Sequence, residues 1–240
     1  MLNGWRQQLG HPVLALRPEL SRACEEHALY CATNQELVHV QDPKKPAASS
    51  KGAKAGQLSE VAWAQSMERG LRIWVHTFFH RLGMLSPGLE HVGMGHLYGV
   101  AVLDTGSGMS ARAGAIWHWP LAGAIDVPPA WETGEFPSPL GDVDFTNAVA
   151  AGWGYPISVT FPTAAVTAVV AKVTCRGAEL PILVTSPENP SHRNHPDNLC
   201  SILVMTRAPL PGGGEIQVDV TCQYAGKPFA RQWRFTTRVR

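Results

Sequence analysis

Residues 74–95 read WVHTFFHRLGMLSPGLEHVGMG, a segment in which helical spacing up to Trp74 gives way to His80-Arg81 and then to chain punctuated by glycine and proline. A helix that ends this way can hold an imidazole at the mouth of a cleft. Residues 18–39, PELSRACEEHALYCATNQELVH, repeat the layout and finish on His39. Two histidines are therefore expected where helices stop and irregular chain begins.

Working outward, Leu16, Leu20, Cys24, Ala28 and Cys31 recur at spacings of three or four, one apolar stripe of an amphipathic helix within residues 13–38. Residues 58–80 suggest one or two further helices, with Val61, Trp63, Met67, Leu71, Trp74, Val75 and Phe78 available for burial. LYGVAVLD (97–104) and ARAGAIWHW (111–119) read as strands joined by a turn at Thr105-Gly106-Ser107-Gly108. Helices flanking a small antiparallel sheet are expected from this half.

The second half changes character. Prolines at 120, 128, 129, 137 and 139 break any helical pattern, and residues 120–150 are expected to be an extended linker. Beyond it, PISVTF (156–161), AVVAKVTC (168–175), ELPILVTS (179–186), CSILVMT (200–206), EIQVDVTCQY (215–224) and RQWRFTTRV (231–239) are rich in β-branched residues and separated by turn formers. Short strands at this spacing predict a β-sandwich over residues 151–240. Trp233 and Phe235 share a face by two-residue alternation, which suits packing.

Composition limits the function. The 240 residues are 45% hydrophobic, ample for real cores without metal staples. A net charge of +1 with 16% charged residues argues against a nucleic-acid partner, which needs clustered cations to neutralise phosphates. The basic run Lys44-Lys45 through Lys51 and Lys54 lies among Ala, Ser, Gly and Pro and is expected to be a solvated, mobile loop. No apolar run approaches the ~20 residues that cross a bilayer. Eight of the ten histidines precede residue 119, so titratable chemistry is expected in the first half.

Five cysteines cannot all pair. Cys24 and Cys31 lie about 10 Å apart along a helix axis, beyond the ~7 Å Cα separation a bridge tolerates, and read as buried thiols. Among Cys175, Cys200 and Cys222 one pair could join strands in an oxidising compartment, and sequence does not choose which.

The blocks resemble the CAP (SCP/PR-1-like) superfamily in its divergent bacterial form. Leu2-Asn3 with Arg6 looks like an opening "LN..R", and Pro18-Glu19-Leu20 with Ala23, His27 and Ala28 looks like the first long helix. Residues 74–95 are similar to the family's "W…HR..ML.P…VG.G" block. The resemblance implies an α/β/α sandwich over residues 1–119 with a cleft bordered by His39 and His80. The family's Gly-Glu-Asn segment is replaced by Gly56-Gln57-Leu58-Ser59-Glu60, which makes Glu60 the candidate first carboxylate. Glu68 is the candidate second one by its nearness to Trp74. The final segments, APLPGGGEIQVDV and Trp233-Arg234-Phe235-Thr236-Thr237, look like bacterial Ig-like modules. The whole is then an α+β chain, a CAP-like domain followed by an all-β Ig-like sandwich.

Two function classes follow from this resemblance. The first is a non-enzymatic extracellular or cell-surface binding protein, whose cleft holds a small molecule, lipid or peptide, or a divalent ion such as Zn2+ through His39 and His80. The second is a metal-assisted hydrolase, a peptidase-like enzyme with Glu60 or Glu68 as base. Asp104-Thr105-Gly106 and the GSGMS string read as a turn, lacking the partner motif or the spacing a protease or nucleophile elbow requires. Gly93, Gly95 and Gly99 have no βαβ context and form no dinucleotide fingerprint. Of the remaining histidines, His27, His76, His91 and His96 are expected to be packed or capping residues. The start, MLNGWRQQLG, lacks the segments of a secretory leader, so either an exported chain without its leader or a cytoplasmic one is expected.

Overall fold

The computed structural model describes residues 1–110, 114–141 and 152–239. The chain divides into two compact units, one taking residues 1–75 and 83–113 and the other residues 76–82 and 114–240.

In the first unit, α1 (Leu2–Gln8), β1 (Ala15–Leu16), α2 (Pro18–Asn34), α3 (Ser50–Gln57), β2 (Ser59–Trp63) and α4 (Met67–Val75) precede β3 (His91–Leu97) and β4 (Val100–Asp104). The sheet has the order β1-β3-β4-β2. β1 runs parallel to β3, and the other pairs are antiparallel. Alternation along β4 sends Val100 and Val102 into one core with Cys24, Ala28 and Cys31 of α2 and Ala55 of α3. On the opposite face Ala101 meets Gly70 of α4, where an added Cβ would lie 2.8 Å from the Ala101 Cβ. Helices thus cover both faces, the α/β/α layering expected for this half.

Several local expectations are corrected. α2 stops at Asn34 with Gln35 in the left-handed region at φ 54°, so His39 lies five residues beyond the helix end. Leu16 precedes the helix in β1 and is 59% exposed, while Cys24, Ala28 and Cys31 are fully buried. Residues 59–63, expected to be helical, form β2, because the backbone groups of SEVAW pair with β4 from Ser59↔Asp104 to Trp63↔Val100. The hairpin turn falls at Tyr98-Gly99, both with positive φ, one turn earlier than the Thr105–Gly108 segment. Asp104 instead closes that later segment by accepting the Ser107 backbone N–H at 2.9 Å and the Ser107 hydroxyl at 2.7 Å.

The lysine-bearing run is not a mobile loop. Ser49 accepts the Gly52 N–H and starts α3. Gly52, Ala55 and Gly56 are buried, and Lys45 pairs with Glu36 at 2.6 Å. The glycines and alanines that look like linker composition are there because α3 packs tightly on α2: a Cβ at Gly56 would sit 2.3 Å from the His27 ring.

The segment 76–82 begins α5 (Phe79–Leu85), whose first residues belong to the second unit. Two antiparallel sheets make up most of that unit. β5 (Trp117–Trp119), β6 (Ile157–Thr160), β10 (Ser201–Thr206) and β9 (Ile182–Thr185) form one, in the order β5-β6-β10-β9. β12 (Lys227–Thr236), β11 (Glu215–Tyr224), β7 (Val166–Cys175) and β8 (Ala178–Glu179) form the other. Ile216, Val218, Val220 and Cys222 alternate inward on β11, and Trp233 and Phe235 on β12 are buried as the pattern requires. ELPILVTS divides into β8 and β9 at Pro181, which cannot donate to a ladder. Of the segment 111–119 only Trp117–Trp119 is a described strand, and residues 111–113 lie outside the described residues.

The proline-rich stretch packs where it is described. Trp131 is 1% exposed, its backbone N–H donates to Trp153 O, and the Leu210 N–H donates to Pro129 O. The rest of the expected linker, from residue 142, lies outside the described residues. All five cysteines are free thiols, so the bridge considered for Cys175, Cys200 and Cys222 is not formed. No described helix is long and apolar enough to cross a membrane.

Candidate functional site

In the first unit His39 is exposed, in the irregular chain between α2 and α3. Its Nδ1 lies 2.9 Å from the carbonyl oxygen of Gly56, in the last turn of α3. A carbonyl only accepts, so Nδ1 carries the proton and the lone pair resides on Nε2. This is the arrangement of a metal-ligating or donor-accepting imidazole, with the ring orientation fixed from behind.

Four residues after Gly56, Glu60 projects from β2. Its Oε1 accepts the Thr105 hydroxyl at 3.2 Å, and a Cβ at Gly83 would come within 2.9 Å of the same oxygen. Gly83 therefore keeps room beside this half-buried carboxylate. Glu68 stands apart on the outer face of α4, 63% exposed and paired with Arg72 one turn on at 3.1 Å. That is the solvated i,i+4 ion pair of an ordinary helix surface.

His27 behaves as the packed residue the sequence suggests. Its Nε2 donates to Val38 O at 2.8 Å, and Nδ1 accepts from Gln41 Nε2 at 3.0 Å. Burial holds its pKa below the usual imidazole value. His27 thereby ties the segment leading to His39 onto α2. His96 likewise donates to a backbone oxygen, Ala64 O at 2.9 Å.

In the second unit His80 is the second residue of α5. Its Nδ1 lies 3.2 Å from Glu135 Oε2 and 3.0 Å from Thr77 Oγ1. The Glu135 side chain has no exposed surface, and its two oxygens accept the backbone N–H groups of Phe78 at 2.6 Å and Phe79 at 2.8 Å. A carboxylate at a helix start satisfies amides that have no partner within the helix. Sequence reasoning missed Glu135. More than fifty residues separate it from His80, and the only signal is an acidic residue inside a proline-rich stretch. The second carboxylate expected near Trp74 is thus matched by none on α4 in a buried setting.

His76 and Arg81 complete this segment. His76 Nδ1 lies 2.9 Å from the Tyr155 hydroxyl, which also accepts from Trp119 Nε1 at 2.8 Å. Arg81 is fully buried and donates to Pro156 O at 3.0 Å and Ser158 Oγ at 3.1 Å.

Among the described residues no group of three or more His, Cys, Asp or Glu side chains gathers as a metal-ligand set. A closed four-ligand zinc site does not fit these residues.

Among solved structures, 42% of the chain aligns with an extracellular protein containing an SCP domain from Bacillus anthracis, at 19% identity and a TM-score of 0.36. The aligned part covers 36% of that protein, so the chain spans about a third of its length. An outer surface protein from Borrelia burgdorferi aligns over 42% of this chain and 81% of its own, at 15% identity and a TM-score of 0.34. No curated protein matches the chain. Residues 1–101 match the CAP family, the cysteine-rich secretory protein family, and this first part of the chain is a CAP domain.

Proposed function

We propose that the chain is a non-enzymatic binding protein of the cell exterior or envelope. Its CAP domain offers His39 and Glu60 for ligand contact, His80 of the second unit is a separate candidate contact, and the following Ig-like sandwich is a structural module. The ligand is a divalent ion such as zinc, or a lipid, peptide or small molecule that offers a donor to an imidazole. The observation that carries this reading is the shared state of the two histidines. In each, Nδ1 faces a fixed oxygen, Gly56 O for His39 and Glu135 for His80, which holds the orientation of the ring. The family match over residues 1–101 supports the exported setting.

Binding stands ahead of metal-assisted hydrolysis because no group of three or more ligand side chains gathers among the described residues to hold a catalytic ion, and neither carboxylate considered as a base stands alone. Glu60 takes the Thr105 hydroxyl, and Glu68 pairs with Arg72 in solvent. Zinc titration of the full chain by calorimetry tests the reading. Uptake is expected in the wild type and is expected to weaken roughly tenfold or more in the His39→Ala/His80→Ala double variant. Unchanged uptake in the double variant rejects these residues as the contact. If the wild type takes no zinc, the same variants are compared for binding to lipid vesicles and peptide pools, and equal binding there rejects the reading altogether.

A further inference from the structure

We infer that His27 is a positioning residue for His39, a buried imidazole that sets both the course of the backbone carrying His39 and the orientation of its ring. This role rests on the ligand contact given to His39 above, and every residue it involves lies in the first unit. His27 is fully buried on α2. Its Nε2 lies 2.8 Å from Val38 O, and its Nδ1 lies 3.0 Å from Gln41 Nε2. A carbonyl only accepts and a side-chain amide nitrogen only donates, so the ring is the neutral Nε2–H tautomer. The two contacts fall on either side of His39, one residue before it and two residues after it. Gln41 in turn accepts the Ser49 N–H through Oε1 at 2.9 Å, and Ser49 caps α3.

The same ring sets how closely α3 approaches α2. A Cβ at Gly56 would lie 2.3 Å from His27 Cε1 and 2.6 Å from each ring nitrogen, so α3 passes there as bare backbone. The carbonyl oxygen of that glycine faces His39 Nδ1 at 2.9 Å. One imidazole therefore fixes both the chain that carries His39 and the acceptor that orients its ring. A side chain that merely filled this space would need apolar volume and no partners. His27 instead commits both nitrogens to the segment around His39, as a residue behind a contact histidine does.

Two variants separate orientation from packing. His27→Phe keeps an aromatic ring and removes both hydrogen bonds, whereas His27→Gln keeps an amide donor for Val38 O. Nitrogen-detected NMR of the full chain, with His39 assigned by comparison with His39→Ala, is expected to show His39 as the Nδ1–H tautomer in neutral solution. In His27→Phe the Nε2–H form of His39 is expected to gain population and zinc affinity to fall about 10–100-fold, with His27→Gln recovering most of both. An unchanged His39 tautomer in folded His27→Phe overturns the inference, as does a wild-type His39 that is mainly Nε2–H. Equal shifts in the two variants overturn it too, since lost packing would then account for both. Should His27→Phe fail to fold, the wild-type spectrum decides through His27 itself: an Nε2–H ring there supports the inference and an Nδ1–H ring overturns it. A His39 tautomer that shifts while zinc uptake is absent or unaltered supports the positioning role and rejects His39 as the zinc contact instead.

Discussion

Arg6 is a cation held without a carboxylate. Its guanidinium donates from Nε to Pro12 O at 2.9 Å, from Nη1 to Met84 O at 3.1 Å and Ser86 O at 2.7 Å, and from Nη2 to Leu89 O at 2.8 Å. Burial lowers its pKa to about 10, so it stays charged at neutral pH. A planar fork that reaches four carbonyls at once has no lysine equivalent. Arg6→Lys is expected to cost about 2–4 kcal/mol in denaturant unfolding, because several oxygens lose their donor in a dry setting. A loss within about 0.5 kcal/mol would mean that water reaches those carbonyls.

His118 makes the opposite choice and stays neutral. Arg231 Nη1 donates to its Nδ1 at 3.3 Å, and the ring packs on Trp233 at 4.5 Å. Burial first, and the Arg231 charge second, lower its pKa from 6.5 to about 4. As pH falls below 6.5 the unfolded chain takes up a proton that the folded chain refuses, so stability is expected to decline until about pH 4, where the folded ring protonates too. Denaturant unfolding across that window should give a shallower decline for His118→Phe. His27 and His11, also lowered by burial, continue to contribute in the same direction. An identical pH profile for wild type and variant would place His118 outside this linkage.

Among the elements, β3 and α2 are joined by glycine. A Cβ at Gly95 would lie 2.4 Å from the Glu25 nitrogen and 2.5 Å from the Cys24 carbonyl carbon, and one at Gly93 would lie 2.5 Å from the Leu20 carbonyl carbon. The VG.G block is thus a seat for a helix backbone. Gly95→Ala is expected to destabilise by about 2–3 kcal/mol in denaturant unfolding, since backbone cannot turn aside as a side chain can. A cost below about 0.5 kcal/mol would show that α2 shifts freely. What the sequence discloses follows from which signals are local. The α2 stripe is legible because three consecutive turns repeat one apolar face, and the later strands are legible because β11 alternates cleanly. β2 is not, because SEVAW has weak local preference and becomes a strand only through its pairing with β4. α3 is hidden by small residues that suit both a linker and a tight helix contact. The settings of the two histidines follow the same division. Gly56, the acceptor for His39, is nearby in sequence, whereas the acceptor for His80 is a distant glutamate.

At the scale of the whole molecule, a cut at residue 119 would look natural from the sequence, yet residues 76–82 belong to the second unit. Several of their partners come later in the chain. Phe78 and Phe79 give their amides to Glu135, His76 meets Tyr155, and the buried Arg81 donates to Pro156 and Ser158. A fragment of residues 1–119 keeps the core formed by Cys24, Ala28, Cys31, Val100 and Val102. It loses every one of those later partners. Hydrogen exchange should therefore separate the two parts of the fragment, with α2 and the β3–β4 hairpin remaining protected while the amides of Phe78 and Phe79 exchange at least about tenfold faster than in the full chain. That factor corresponds to the roughly 1.5 kcal/mol of one lost hydrogen bond to a charged group. Equal protection of those amides in fragment and full chain would show that α5 is capped without Glu135. The domain ending at residue 119 would then be self-sufficient, and the dependence of His80 on the later part of the chain would fall with it.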